Sequence, residues 1–393
     1  MKKKKQKITV FLCLLLAGLV LTFSACGKTP ESAQSGGNET STSVSSSSEA
    51  QSNIQSGGKT QHIKKGLDTN LTVDADVILP SKSAYSTYSM GYQSFSPKEL
   101  TTIFPAGDPG KVIVDTTTGG GLYITIADDG SILANRATTS FVANKRASAI
   151  NSLVAEFGGS LEKTPSLSKE LSFMTRTDAI KKGTGFLQAL KLPCEPTMEP
   201  MIAAITGKEL NEYQERLLKN SGYKDSPKTK VLKDLSEKDD VYYLQFRFMK
   251  EGLPVYSALD EPNISVRQQD AFSPFPMAAK IAITAQGLQY LDVQQSLSLN
   301  GKPSAPMPVI SLEEALECLK KSQADIILTE PHIVKKIWME YISIQNPDTK
   351  YENAAYTLTP YWCFQIDVVN GSDTNTEAER YNALTGKDLA YGG

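Results

Sequence analysis

Apolar and polar positions repeat with two different periods along the chain. Single alternation from Lys111 to Asp115 and from Gly121 to Ile126, followed after an Asp-Asp-Gly turn by Ser131 to Ala137, predicts antiparallel strands joined as hairpins. Apolar residues at helical spacing from Ala143 to Phe157 predict a helix. Upstream, Ser96 to Phe104 predicts a shorter helix that opens on a proline.

A longer pattern follows and occurs twice. In its first copy, the strand-like segment Leu171 to Met174 leads into a helix from about Thr177 to Leu190. A further helix is predicted from Gly207 to Leu218. Alternating aromatic and aliphatic residues from Val241 to Phe248 then predict a strand.

The second copy repeats this order nearer the C-terminus. Ser311 and Glu314 have capping-box spacing, so a helix is predicted to begin there. Long strands are predicted from His332 to Ile344 and from Tyr356 to Val369, with a last strand from Glu379 to Leu384. Each copy therefore predicts a helix on an antiparallel meander, which is an α+β unit.

These elements imply three folded regions. We predict a smaller β-rich domain over residues 67–170, a first repeated unit over residues 171–300 and a second over residues 301–393. Between the two copies, Ala279 to Leu297 predicts a further hairpin that turns at Gly287.

The N-terminus has the pattern of an export signal. A basic cluster from Lys2 to Lys7 precedes an uncharged run of apolar or small residues from Ile8 to Phe23. This run is shorter than the roughly 20 apolar residues that a spanning helix needs, so we interpret it as a cleaved segment. The alternatives are an ordinary secretory signal or an uncleaved membrane anchor, in which the cysteine at position 26 has no special role.

The residues Phe23, Ser24, Ala25, Cys26 and Gly27 resemble the lipobox of bacterial lipoproteins. The resemblance implies cleavage between Ala25 and Cys26 and a diacylglyceryl group on Cys26, with palmitate-type acyl chains. Two acyl chains hold a protein on a membrane where one does so only marginally. The expected location is therefore the outer face of the cytoplasmic membrane, with the membrane as a partner through the lipid.

From Gly27 to Gly66 the composition changes to Ser, Gly, Thr, Asn and Gln with few large apolar side chains. Such a stretch buries too little apolar surface to offset its chain entropy, so it predicts a disordered tether. A flexible linker of about 40 residues spans roughly 35 Å. A long Ser-rich spacer of this kind resembles the lipoproteins of Gram-positive bacteria.

The charge balance argues against one class of partner. Removing the signal takes away five lysines and moves the formal net charge from −2 to −7. Binding to phosphates needs a basic footprint, so we expect no nucleic acid partner.

The cysteines that remain after export do not form a disulfide framework. Besides Cys26 they are Cys194, Cys318 and Cys363, an odd and widely spaced set without a CxxC pair. We interpret them as small buried hydrophobic residues. One bridge between Cys318 and Cys363 is left open.

Histidine and serine motifs predict no catalysis. Histidine occurs only at His62, in the predicted tether, and at His332, at the start of a predicted strand, and neither GxSxG nor HExxH is present. Ser-x-x-Lys occurs in the folded part without its companion motifs, at Ser160 to Lys163, Ser166 to Lys169 and Ser221 to Lys224.

The acidic pairs and the glycine-rich segment also predict no catalytic or phosphate-binding site. The pairs Asp128–Asp129 and Asp239–Asp240 are interpreted as solvated turn residues, because adjacent carboxylates do not face each other across a cleft. Gly119 to Gly121 lack the lysine of a phosphate loop and are interpreted as a flexible turn. We therefore predict no catalytic, cofactor-binding or metal-ligating residue and a protein that is not an enzyme.

Two aromatic sets allow two interpretations. Sheet core is the favoured one, and an exposed patch for partner binding is the alternative. The residues concerned are Tyr242, Tyr243, Phe246, Phe248, Tyr341, Tyr361, Trp362 and Phe364.

The repeated units resemble known modules. Both copies resemble PepSY-type modules. In the first copy the resemblance lies in a strand that ends in Gly252-Leu253-Pro254-Val255. In the second copy it lies in Leu358, Pro360, Trp362 and the terminal Tyr381-Asn382-Ala383-x-Thr385-Gly386-Lys387. The paired arrangement over about Leu171 to Leu389 also resembles the YycH/YycI group of extracytoplasmic regulators of a cell-wall sensor kinase. Together these features resemble an uncharacterised Gram-positive lipoprotein family with repeated α+β units.

The functional expectation follows from the anchor, the repeat and the missing catalytic motifs. We expect a membrane-anchored, non-enzymatic lipoprotein that binds or regulates another protein of the cell envelope. The alternative is a solute-binding lipoprotein of a transporter, which requires two lobes with parallel sheets around a deep cleft. A cell-wall hydrolase is a third candidate.

Overall fold

The computed structural model describes much of the chain that follows the predicted tether. The described residues are 58–105, 112–115, 121–135, 138–158, 169–219, 232–257, 276–324, 328–346, 349 and 354–389. They belong to one compact unit, which spans residues 50–393. The signal, Ala25, Cys26, most of the predicted tether, Gly119 and Gly120 lie outside the described residues.

Strands make up most of the described secondary structure. In chain order they are β1 (Thr60–Asp68), β2 (Leu71–Ile78), β3 (Ala84–Tyr85), β4 (Tyr88–Tyr92), β5 (Val112–Asp115), β6 (Gly121–Ile126), β7 (Gly130–Ala134), β8 (Thr138–Val142), β9 (Glu195–Pro196), β10 (Met201–Ile205), β11 (Val241–Phe246), β12 (Phe248–Lys250), β13 (Leu253–Pro254), β14 (Ala278–Thr284), β15 (Gly287–Gln294), β16 (Leu297–Leu299), β17 (Met307–Pro308), β18 (His332–Gln345), β19 (Tyr356–Asn370) and β20 (Asp373–Asn382). The helices are α1 (Pro97–Ile103), α2 (Lys145–Gly158), α3 (Arg176–Ala189), α4 (Gly207–Lys219) and α5 (Leu312–Ala324).

Seven of the described strands form one sheet, here called sheet I. Their order is β1-β2-β18-β19-β4-β16, and β20 also pairs with β19. Neighbours are antiparallel except β2 and β18, which run parallel. Both faces of β18 are covered, since Met339 and Tyr341 lie in one cluster of buried residues and Trp338 and Ile342 lie in another. This explains why β18 is apolar at consecutive positions and does not alternate.

Eight of the described strands form a second, antiparallel sheet, here called sheet II, in the order β10-β11-β14-β15-β8-β7-β6-β5. The predicted hairpin between β6 and β7 is confirmed. It turns through Asp128 and Asp129, whose φ angles of 56° and 60° lie in the left-handed region that Asp tolerates better than most residues.

The helices cover the sheets by their apolar faces. On one face of sheet II, Ile150 of α2 and Leu210 of α4 pack with Tyr243. Helix α3 packs on the opposite face, where Gly183 lies so close to Phe246 that a Cβ atom would stand 3.2 Å from the ring. Both sheets contribute to the core that contains Phe246, in which burying each large side chain fully contributes about 1.5–3 kcal/mol.

The predicted α+β class is confirmed. The first repeated unit contains α3 and α4 beside β10, β11, β14 and β15, and the second contains α5 before the meander β18-β19-β20. The capping box of α5 is present, because Ser311 N–H and Oγ–H both donate to Glu314 while the Glu314 N–H donates to Ser311 Oγ. The predicted short helix near Ser96 is also present as α1.

Strands upstream of residue 170 complete both sheets. Strands β2 and β4 pair with β18 and β19 of the second unit, whereas β8 pairs with β15 of the first. Across the other predicted boundary, β16 of the first unit pairs with β4 in sheet I. The division at residues 170 and 300 stays a prediction about domains, and hydrogen-bonded strands join all three regions.

Two local predictions are wrong. The tether does not extend to Gly66, because residues Thr60–Asp68 form β1, which pairs with β2 along its length while Ile63 and Leu67 pack on the core. The segment from Leu171 to Met174 is a turn closed by one bridge between these two residues and is not a strand. In both segments the residue types alone do not predict the structure, because it depends on which other backbone segment supplies the hydrogen bonds.

Candidate functional site

The predicted aromatic residues lie in the core. All eight have exposures of 2% or less, so the interpretation as sheet core is confirmed and the alternative of an exposed aromatic patch is wrong for these residues. Cys194, Cys318 and Cys363 are free thiols, so Cys318 and Cys363 do not pair. Burial raises the pKa of the Cys194 thiol to about 12, which leaves it uncharged at neutral pH.

Within the described part of the chain, neither histidine bonds to a serine or cysteine side chain as a catalytic triad requires. His332 is buried at the start of β18, where Nδ1 lies 2.9 Å from Glu330 O. His62 lies on β1 between the carboxylates of Asp74 and Asp76, which raise its pKa by hydrogen bonding. Among the described residues no group of three or more His, Cys, Asp or Glu side chains is arranged to hold a metal ion.

The acidic pair Asp239–Asp240 is not solvated as predicted. Both side chains are buried. Arg146 of α2 donates to Asp239 through Nε at 2.6 Å and Nη2 at 2.9 Å, which compensates the buried charge. The Gly207 N–H at the start of α4 donates to Asp240 at 2.8 Å. The pair therefore joins two helices to the segment before β11. By contrast, Asp128 and Asp129 are exposed turn residues, as predicted.

Removing the Arg146 side chain should therefore destabilise the contact between α2 and the segment before β11. We expect Arg146→Ala to lower the free energy of unfolding by about 2–3 kcal/mol, somewhat less than for a fully buried pair because Arg146 is 37% exposed. Urea unfolding at pH 7 measures this loss. Arg216→Ala, on the outer side of α4, is the control and should lower stability by about 1 kcal/mol or less, since it removes an exposed contact with the Tyr213 ring.

The same pair predicts a pH dependence. Burial alone would raise the pKa of Asp239, but hydrogen bonds from Arg146 and the Ser236 N–H outweigh burial and lower it. The resulting stability is present above the unfolded-state pKa of about 4 and is lost as the pH falls toward the folded-state pKa. This loss should be smaller in Arg146→Ala. Burial raises the pKa of Asp240. Its contribution to the pH dependence cancels when the wild-type protein and Arg146→Ala are compared.

A cleft with a volume of about 1130 Å³ lies between α1 and α3 and is the candidate functional site. We call it the α1–α3 cleft. Helix α3 contributes Lys182, Gly185, Phe186 and Ala189, which are spaced as one face of a helix. The opposite face of α3 is buried against the core. The cleft is therefore lined by the solvent side of a helix whose other side is fixed.

Helix α1 forms the facing wall with Lys98, Glu99, Thr102 and Ile103. Its position is set by Leu100 and Phe104, which are buried. The Phe104 ring stacks on Phe141 of sheet II, with 5.2 Å between the ring centroids. This short helix is thus held in place by its apolar side.

Gln93 lies in the lining of the cleft and hydrogen-bonds to two other segments of the chain. Its Nε2 donates to the carbonyl of Leu190 at 2.7 Å, at the C-terminal end of α3, and its Oε1 accepts from Ser296 Oγ at 3.1 Å. Tyr92 lies beside it and contacts Tyr356 edge to face at 5.9 Å. The segment after β4 therefore connects sheet I to α3 beneath the cleft.

Lysines dominate the charge of the cleft. Lys98, Lys182 and Lys191 are exposed at its wall, and the acidic residue among the described lining side chains is Glu99. The Glu99 carboxylate accepts from both the N–H and the hydroxyl of Ser96 at 2.7 Å, and these bonds lower its pKa. The negative charge is thus held at the start of α1, and the lysines leave the cleft net positive.

The sequence does not point to this cleft. Its walls come from segments about 80 residues apart, and each wall consists of ordinary exposed positions of an amphipathic helix. The one feature of the sequence that could have indicated the cleft is the pair of small residues Gly185 and Ala189 on the solvent face of α3. Helical periodicity alone places them on an ordinary helix surface.

The described helices include none that is both long and apolar enough to span a bilayer.

Comparison with solved structures finds a similar fold. An uncharacterised protein from Eubacterium rectale ATCC 33656 is 13% identical in sequence, and the match covers 84% of this chain and 93% of that chain with a TM-score of 0.50. At this identity the likeness shows the fold alone. A weaker neighbour is the C-terminal domain of YpeB from Bacillus megaterium, with 12% identity, coverage of 76% and 96%, and a TM-score of 0.28. That score is too low to support a shared function.

No protein-family model matches the sequence, and no curated protein matches it either.

Proposed function

We propose that this protein is a non-enzymatic lipoprotein on the outer face of the cytoplasmic membrane, where it binds and regulates another protein of the cell envelope. The observation that carries the binding function is the α1–α3 cleft, an open trough that combines the Phe95 and Phe186 rings with lysine side chains. Surfaces that bind proteins combine aromatic anchors with a polar, solvent-accessible rim in this way.

The location rests on the N-terminal sequence. The export pattern ends at Ala25 and Cys26, and the Ser-rich segment that follows separates the anchor from β1. A predicted flexible segment of about 33 residues, from Gly27 to Lys59, lets the folded unit reach a partner roughly 30 Å from the bilayer. Replacing Cys26 with Ala should therefore move the protein from the membrane fraction to the soluble fraction, and mass spectrometry of the wild-type N-terminus should find a lipid on Cys26. A mutant that stays membrane-bound and uncut contradicts the anchor.

The strand directions favour protein binding over solute capture. A transporter's solute-binding protein would have two lobes with parallel sheets, whereas the described neighbours in sheets I and II are antiparallel except β2 and β18. A thermal-shift screen with sugars, amino acids and short peptides tests the alternative, because a ligand that binds the native state raises its stability.

Site-specific photo-crosslinking in cells tests the binding function. A photoreactive residue at Ala189, which lines the cleft, should capture a protein of the membrane or wall. The neighbouring Gln188, exposed on α3 but outside the cleft lining, is the matched control. Equal capture from both positions, or repeated capture of only this chain itself, contradicts a partner-binding role for the cleft.

A further inference from the structure

We propose that the α1–α3 cleft takes an acidic polypeptide segment of the partner, in which carboxylates flank an aromatic or aliphatic side chain. This inference rests on the proposed binding function and adds the chemistry of what is bound.

Charge complementarity is the first support. Lys98, Lys182 and Lys191 surround the cleft, and the acidic side chain among its described lining residues is Glu99, whose charge also attracts Lys191. The protein as a whole is acidic, with a formal net charge of −2 before removal of the basic signal. Three lysines against one glutamate leave this cleft positive on an otherwise acidic protein, which attracts negatively charged ligands and steers their approach.

The shape of α3 is the second support. Gly185 is exposed on the wall, and a Cβ atom built there meets no atom within 4 Å. Beside it, Phe186 and Ala189 continue an apolar strip, and Phe95 lies in the same cleft. A ring or aliphatic chain can rest in the space above Gly185 while carboxylates reach the lysines on either side.

The openness of the cleft favours a polypeptide over a small molecule. Small-molecule sites enclose most of their ligand. This cleft has a volume of about 1130 Å³ and lies open between two helices, so it would leave a metabolite largely in water. A segment of a larger partner gains additional contacts outside the cleft, which compensates for that exposure.

Fluorescence anisotropy with the purified full chain tests the proposal. The probes are a labelled peptide of alternating glutamate and phenylalanine and the same peptide with glutamine in place of glutamate. The acidic peptide should bind and the glutamine peptide should bind at least about tenfold more weakly. Raising the salt from about 0.1 M to about 1 M shortens the screening length from about 10 Å to 3 Å and should weaken binding of the acidic peptide.

Two matched pairs of variants place the peptide in the cleft. Lys182→Glu should lower its affinity by about three- to tenfold, whereas Lys181→Glu, next to it on α3 but outside the cleft lining, should change it by less than about twofold. Gly185→Trp fills the space on the wall and should lower affinity by at least about tenfold. Gln188→Trp adds the same ring outside the cleft and should leave affinity unchanged. Thermal unfolding checks that each variant is folded.

The outcomes separate this inference from the proposed function. Equal effects of Lys181→Glu and Lys182→Glu, or equal binding of the acidic and glutamine peptides, overturn the acidic-segment assignment, and capture from Ala189 in cells can persist in that case. Equally tight, Lys182-dependent binding of inorganic polyphosphate overturns it too, because the cleft would then be a general polyanion site. Binding of the acidic peptide without capture of an envelope protein contradicts the proposed function alone.

Discussion

Replacing Arg380 with Met is expected to destabilise the protein by about 3–5 kcal/mol, because it leaves a buried carboxylate without its cation. Arg380 Nε lies 3.1 Å from Glu340 Oε1, and the two side chains are 1% and 6% exposed. Glu340 also accepts from Trp338 Nε1 at 3.2 Å and from Cys363 Sγ at 3.2 Å. These neutral donors cannot balance the charge once the guanidinium is gone.

Urea unfolding followed by tryptophan fluorescence measures this loss directly. The chain has two tryptophans, Trp338 in β18 and Trp362 in β19, so the signal reports on sheet I. The control is Lys145→Met, which removes an exposed ion pair to Asp129 at 3.8 Å and should cost less than about 1 kcal/mol.

The double variant Glu340→Leu with Arg380→Met distinguishes the cost of an unpaired charge from the loss of packing. Removing both charges should recover most of the stability lost in Arg380→Met, since well-packed apolar residues often replace a buried ion pair without loss. Two results would contradict this account. They are a loss below about 1 kcal/mol in the single variant, or a double variant less stable than the single one.

Replacing Trp362 with Ala should have an effect of similar size, about 3–5 kcal/mol, because it leaves a large cavity in the core. Trp362 is 2% exposed, and its Nε1 donates to the Ile310 carbonyl at 3.0 Å. Ile310 N–H in turn donates to Ala383 O at 2.8 Å, directly before α5 begins. The substitution therefore removes core volume and also loosens the segment that leads into α5.

Far-ultraviolet circular dichroism during urea unfolding gives the stability of Trp362→Ala without depending on the lost fluorophore. Amide hydrogen exchange should increase in α5 more than in α4, which packs on sheet II. Trp362→Phe is the control that keeps much of the ring but loses the hydrogen bond, and it should be intermediate. Similar stability of the Ala and Phe variants would show that the hydrogen bond, and not the cavity, dominates.

Much of the local structure was predictable from the sequence. The Ser311–Glu314 capping box begins α5 because both partners lie within one helical turn. The β6–β7 hairpin follows from alternation on both sides of an acidic turn, and α2 follows from apolar residues at helical spacing. The prediction that the aromatic residues are core was also correct, because they lie along strands and are 2% exposed or less.

The errors share a different origin. Strand β1 is polar, but it forms because β2 supplies its backbone partners. The charge of Asp239 is acceptable in the interior because Arg146, far away in the chain, neutralises it. Neither partner can be identified from the residues around the segment itself.

The sequence by itself determined the α+β class and most helices and strands, because these depend on side-chain periodicity and capping within a few residues. It also carries the N-terminal pattern on which the proposed export and lipid attachment rest. Tertiary structure alone decided that β2 runs parallel to β18, that Arg380 meets Glu340, and that α1 and α3 line an open cleft with lysines at its wall. The physical reason is that a buried charge or a binding cleft is defined by faces that approach from distant parts of the chain. Local patterns show which face of an element is apolar, but they do not show which other element that face meets.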